Sequence, residues 1–248
     1  MANEADRDGT YPPLDVLKPV AEGVWIVDSG PLHVLGLALP IRMTVLRLSD
    51  RDLWLHSPTR FTPELRAQLE REGQIAHLIA PNIGHWSFLK EWQRNCPDAI
   101  TWAAPGLRER RQVRKADLRI DHVLTDAPPR EWAREVEQVR FHGSGFSELD
   151  FLHRPSRTLV MTDLIANLET ERLPAMTRIW AHLIGIAAPR GRAPIYLRLA
   201  LKTNKRESVQ TATRLIGWQP ERVIFCHGRW YEHDGMQALR QSLDWLVG

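Results

Sequence analysis

An α/β fold, arranged as two successive halves that each run from strands to helices, is what this 248-residue sequence predicts. Short β-branched and aromatic runs open the chain and give way to alternating apolar strands and helical patterns. A second cluster of strand-like segments follows in the middle of the chain. The C-terminal part returns to helix, strand and helix. Hydrophobic residues make up 43% and charged residues 25%, with no long polar or low-complexity tract. Residues 16–248 therefore read as one globular domain behind a flexible start at residues 1–15.

The elements follow from local chemistry. "GVWIVDSG" (23–30) and "MTVLRLSDRDLWLHSPT" (43–59) read as strands, the second as a hairpin turning at "SDRD". In "FTPELRAQLEREG", Thr62 is a helix cap, Pro63 suits the first helical position, Leu65 and Leu69 share a face, and Gly73 ends the helix. "IAHLIAP" reads as strand, "HWSFLKEWQRN" as helix, "AITWAAP" as strand and "LRERRQVR" as a short helix. "EVEQVRFHG", "ELDFLHRP" and "TLVMTD" are three strands whose connections are too short for crossover helices, so they are expected to be antiparallel. Residues 164–202 read as mostly helical. "NKRESVQTATRLIG" is a helix stopped at Gly217, "RVIFCHG" a strand, and Asp234 the expected cap of one final helix carrying Met236, Leu239, Leu243 and Leu246.

Charge and cysteine usage narrow the function classes. The formal charge is only +3, and the densest basic run, "LRERRQVRKADLR", lacks interleaved aromatics, so it reads as a solvated helix face and no nucleic-acid partner is expected. Cys96 and Cys226 form no C-x-x-C pair, which argues against a disulfide framework and a cysteine zinc site. The polar start lacks a signal core, and no run reaches eighteen apolar residues, so a cytoplasmic protein without a membrane span is expected. The aliphatic "IWAHLIGIAAP" lines either an apolar pocket or the interface of a homo-oligomer.

Three apolar runs end alike, "AHLIAPNIGH" in His85, "TLVMTD" in Asp163 and "RVIFCHG" in His227. Each puts a metal-ligating side chain just past a buried strand, where open α/β sheets bind ligands. Two imidazoles and a carboxylate suit zinc, iron or manganese, and an imidazole is mostly neutral at pH 7 with its lone pair available. Each has a plainer reading. His85 could bond a local carbonyl, His227 could be a satisfied core histidine, and Asp163 could cap "LIANLE". Trp86, Phe88 and Trp92 read as helix-packing residues, and Cys226 as a buried, inert thiol.

With "GHTxG"-like, "TGD"-like and "HG" elements in order after "PNIGH", the chain resembles the metallo-β-lactamase superfamily. More narrowly it resembles an uncharacterised branch, a domain of unknown function, in which "PNxxHxxFLxEW" and "FxExxFxHxxSRTLVxTD" recur. The resemblance implies a four-layer αββα sandwich. It also places the superfamily's metal-binding motif on this chain, with the first two histidines falling on Ala80 and Asn82, the aspartate on Gly84 and the last histidine on His85. Ser144 stands for the later histidine, Asp163 for the bridging aspartate and His227 for the final histidine. One metal position is thus stripped of its histidines, while the other keeps His85, Asp163 and His227.

The expected activity is hydrolysis of a small-molecule ester, lactone, thioester or phosphoester by one divalent ion, zinc, iron or manganese, with redox use of iron a third course. The alternative is a binding or scaffold protein that keeps the fold without a metal. Further candidates for the site are Asn82, His142, Glu148, His153 and His56, the last where the superfamily has a supporting aspartate.

Overall fold

The computed structural model describes residues 8–34 and 36–248. Of the expected flexible start, residues 1–7 lie outside the described residues. The rest packs against the body, with Gly9 N donating to Arg172 O at 2.9 Å and Asp15 N to Asp28 O at 2.8 Å.

The first half forms a seven-stranded sheet in chain order: β1 (Lys18–Ala21), β2 (Val24–Val34), β3 (Leu37–Arg47), β4 (Asp52–His56), β5 (Gln74–Ala80), β6 (Ile100–Ala103) and β7 (His122–Val123). Strands β1 to β4 pair antiparallel, with the hairpin at "SDRD" as expected. From β4 onward pairing is parallel, because α1 (Pro63–Glu72), α2 (Leu89–Asn95) and α3 (Arg111–Lys115) supply the crossovers. Thr62 caps α1 by accepting from Leu65 N at 3.0 Å, and Gly73 N closes the helix on Leu69 O. Helix α2 begins at Leu89, four residues later than the sequence pattern suggests, since the stretch before it is held in turns.

The second half holds the expected meander of β8 (Val136–Gly143), β9 (Phe146–His153) and β10 (Thr158–Val160). Residues 164–202 are less helical than expected, with β11 (Ala166–Asn167) and a 3-10 turn at Thr170–Arg172 preceding α4 (Ala175–Leu183) and α5 (Ile195–Lys202). Helix α6 (Lys205–Gly217) leads to β12 (Arg222–Ile224), which joins β10 in parallel. Then β13 (His227–Gly228) pairs with β11, tying Ala166 to His227. The single final helix expected is in fact two, α7 (Gly235–Ser242) and α8 (Asp244–Val247), broken at Leu243. Asp234 stands before α7 with φ of 53° and makes no side-chain cap bond, because the left-handed backbone turns its carboxylate away from the helix N–H groups.

Strand alternation sorts the core into layers. On β4, Leu53 and Leu55 face α1 and α2, packing with Leu65, Leu69 and Trp92. Trp54 between them points the other way, against Trp132, Leu149, Phe151 and Ile224 from the second half. The outer face of the second sheet packs Phe141 and Leu159 against Leu197, Leu215 and Leu239. The result is helix, sheet, sheet, helix, the αββα sandwich. Among the described residues no helix is long and apolar enough to cross a membrane.

Candidate metal centre

One end of the sandwich gathers His85, Asp163 and His227, which come from loops distant in sequence. Asp163 Oδ1 receives both rings, with His85 Nε2 at 3.2 Å and His227 Nε2 at 3.1 Å. The ring centroids are 5.3 Å apart. Each ring's other nitrogen is already held: His227 Nδ1 donates to Pro40 O at 2.8 Å, and His85 Nδ1 bonds Ser57 Oγ at 2.6 Å. A carbonyl can only accept, so His227 carries its proton on Nδ1 and turns the lone pair of Nε2 toward a carboxylate oxygen. Two lone pairs at that separation attract only when a proton or a metal cation lies between them.

This donor set fits a divalent ion. Tetrahedral ligands at about 2.0 Å from zinc lie about 3.3 Å from one another, close to the observed spacing. Remote nitrogens fixed by a carbonyl and a hydroxyl are the support that metal-binding imidazoles require. Burial opposes ionisation of Asp163, but the two histidines outweigh it and hold the carboxyl well below its usual range. Burial likewise disfavours charge on His85, and Asp163 overrides it, raising that imidazole well above 6.5.

Glu148 and Asn82 build the scaffold beneath these groups. Glu148 is fully buried on β9, and its carboxylate accepts from the N–H groups of Thr162, Asp163 and Leu164 at 2.8 to 3.1 Å, which fixes the turn carrying Asp163. Asn82 Nδ2 donates to Glu148 Oε2 at 3.1 Å and to Asp163 Oδ2 at 2.8 Å, while Asn82 Oδ1 accepts from Gly84 N and His85 N. One amide therefore joins the turn of His85 to the carboxylate of Asp163. Asn82 and Glu148 belong to the site as positioning residues, not as ligands.

A buried cation holds the third loop. Arg42, 2% exposed, donates to Phe225 O at 2.9 Å and Gly228 O at 2.7 Å, and pairs with Asp28 at 2.6 Å. Gly228 has φ of 89°, and a Cβ there would lie 2.1 Å from Asn167 O, so the glycine of "FCHG" is required for β13 to close on β11.

The other candidates separate. His56 is fully buried below the site, 3.4 Å from Thr162 Oγ1 and stacked on Trp54, and burial pushes its pKa down to about 3. It supports the turn before Asp163 as a neutral ring. His142 is not in the site: it lies at the end of β8 beside α6, with Nε2 3.1 Å from Glu207 and 2.7 Å from Asn204. His153 is at the opposite end of β9 from Glu148, bonded to Ser156 Oγ at 2.7 Å, with burial lowering its pKa to about 4. The causes differ: His153 is at the far end of its strand, whereas His142 pairs with Ser147 at the same end as Glu148 but on β8, the edge strand, beside α6. Ala80 is buried at the end of β5, and Ser144 N bonds Ala200 O away from the histidines. Cys226 is buried beside the His85 ring, its thiol also facing Met161 O.

His85, Asp163 and His227 form the floor of a cleft of about 440 Å³ whose walls include Leu39, Ile41, Trp86, Phe88, Trp180 and Tyr196. Among the described residues no Lys or Arg lines it. Trp86 and Phe88 thus do more than pack against a helix, as the sequence pattern suggests, because the turns before α2 turn them to the cleft. Ser57, Pro40 and Tyr196 carry no sequence signal as site residues. Ser57 alone could have been found, as the neighbour of His56 at a strand end.

A family model described as a domain of unknown function (DUF4336) matches residues 21–189, more than half of the chain. No curated protein matches. Among solved structures, a metallo-β-lactamase from Pontibacter korlensis is 12% identical with a TM-score of 0.62, over 93% of this chain and 97% of that one. A metallo-β-lactamase from Erythrobacter litoralis is 14% identical with a TM-score of 0.61, over 96% and 98%. The metallo-β-lactamase FIM-1 from Pseudomonas aeruginosa, in its mono-zinc form, is 14% identical with a TM-score of 0.58, over 93% and 94%. At such identity these establish the fold, the expected metallo-β-lactamase sandwich.

Proposed function

We propose that this chain, which belongs to the DUF4336 family, is a metal-dependent hydrolase that uses one divalent ion on His85, Asp163 and His227 to cleave an uncharged ester, thioester or lactone. The observation that carries this reading is the convergence of two imidazole Nε2 atoms on one carboxylate oxygen, with both remote nitrogens fixed, at the floor of an open cleft. FIM-1, of like fold, has been seen with one zinc, which supports a single-ion arrangement.

A divalent ion in this position supplies a Lewis acid and lowers the pKa of water to about 7. The protein does the rest. His85, Asp163 and His227 leave the cleft side open, and Asp163 supplies the balancing charge. Asn82 and Glu148 hold the ligand geometry, and the apolar walls strip water from the substrate. With apolar walls and no Lys or Arg among the described lining residues, an anionic group of a substrate would have only the ion and the two imidazoles to meet, which favours uncharged esters, thioesters and lactones over phosphoesters.

The test is metal content and thermal stability. Zinc, manganese or iron(II) should bind at one per chain, and at roughly a hundred times Kd should stabilise by about 2.7 kcal/mol, a Tm rise of about 5 to 10 °C. His227→Ala should abolish binding and leave the fold intact. Protein that takes up no stoichiometric metal and shows no Tm response would instead support the second reading, a binding or scaffold protein. That reading draws on the bonds Asp163 already makes to both histidines.

A further inference from the structure

Between Glu171 and Glu207 the chain has no acidic residue, yet it holds eight basic ones, Arg172 to Arg206. The whole protein has a formal charge of only +3, so this segment is a local concentration of positive charge. Arg172 pairs with Glu169 and Arg192 with Asp244. Arg178, Arg190, Arg198, Lys202, Lys205 and Arg206 have no carboxylate partner among the described residues.

The same segment exposes large apolar side chains. On α4, Met176, Ile179 and Leu183 are 68%, 56% and 74% exposed, and on α5, Ile195 and Leu199 are 51% and 59% exposed. Their spacing makes one apolar row per helix, with Arg178 and His182 beside the first row and Arg198 and Lys202 beside the second. A backbone bond from Ile195 N to Ile184 O at 3.0 Å brings the two helices end to end. Val34, 43% exposed, and Tyr196, 52% exposed, belong both to the exposed apolar set and to the cleft wall. The apolar surface is therefore continuous with the mouth of the cleft.

We propose that α4 and α5 dock this protein on an anionic lipid surface, with their apolar rows in the headgroup region and the basic residues on lipid phosphates. Helices too short to span a bilayer, with apolar rows beside basic ones, have the form of an interfacial element. Charge complementarity selects this occupant: a second copy related by a two-fold axis would set the basic rows against themselves, whereas anionic headgroups neutralise them. If the hydrolase reading holds, the cleft opens toward the bilayer, and its substrate is a lipophilic ester drawn from it.

The experiment is co-sedimentation of the full chain with vesicles of phosphatidylcholine, with and without roughly one-third phosphatidylglycerol. Binding to the anionic vesicles alone, weakened by salt, is expected. Arg178→Gln and Lys202→Gln should each weaken it about fivefold, and Leu183→Asp with Leu199→Asp should abolish it while the melting curve is unchanged. Chelator-treated protein should bind equally well, so that failure of the metal reading leaves this result standing. Absence of binding to anionic vesicles, or binding indifferent to these substitutions, overturns the proposal. So does a dimer in sedimentation velocity that Leu183→Asp dissociates, which would assign the surface to a second copy.

Discussion

Asp163 meets the Nε2 atoms of both histidines through one oxygen and accepts from Asn82 through the other, so its charge organises everything around it. Asp163→Asn should remove metal binding altogether, as read by calorimetric titration with zinc. Glu148 acts one step away. Its carboxylate accepts from three backbone N–H groups and from Asn82, and Glu148→Gln would bring amide hydrogens into that cage. Zinc affinity should fall about 10- to 100-fold, with the ion still bound at high concentration. His153 gives a separate pH signature. Its folded pKa of about 4 lies below the unfolded value of 6.5, so the unfolded state holds more protons between these values. Stability is full above pH 6.5 and is lost as pH falls toward 4, by up to ~3 kcal/mol from this residue. Urea unfolding at neutral and mildly acid pH measures it, and His153→Gln should flatten the slope.

At the scale of elements, the site depends on turns more than on helices. Helix α2 starts late because Asn82 Oδ1 captures the N–H groups of Gly84 and His85, and this places His85 on a turn. The loop after β12 is held from β3 by Arg42, whose charge is buried against Asp28. Arg42→Met leaves Asp28 with only Lys18, and should destabilise the fold by roughly 3–5 kcal/mol in urea titration. Zinc affinity should fall with it, because His227 follows the released carbonyl of Phe225 in the chain. Gly228→Ala should act on the same loop through its clash with Asn167.

For the molecule as a whole, the two-layer sheet core explains how far the sequence could be read. Strand periodicity exposed β4, β5, β8, β9 and β10, because their faces alternate or are wholly buried. The pair β11 and β13 has two residues each, too short for any period, and it forms only because Gly228 lets two distant loops touch. His85, Asp163 and His227 were legible as metal-ligating residue types at strand ends, and the structure brings the three together. His153 and His142 were misjudged because residue type and nearness in sequence say neither which end of a strand meets the cleft nor which strand lies at the sheet edge. Local chemistry in the sequence determined the order of elements, the capped helix α1, and the two histidines and one aspartate placed at three strand ends. Only the tertiary structure decided that those three share one carboxylate oxygen, that Asn82 and Glu148 hold them, and that apolar walls enclose them. Such convergence rests on contacts between residues as far apart as Pro40 and His227, which no local pattern encodes.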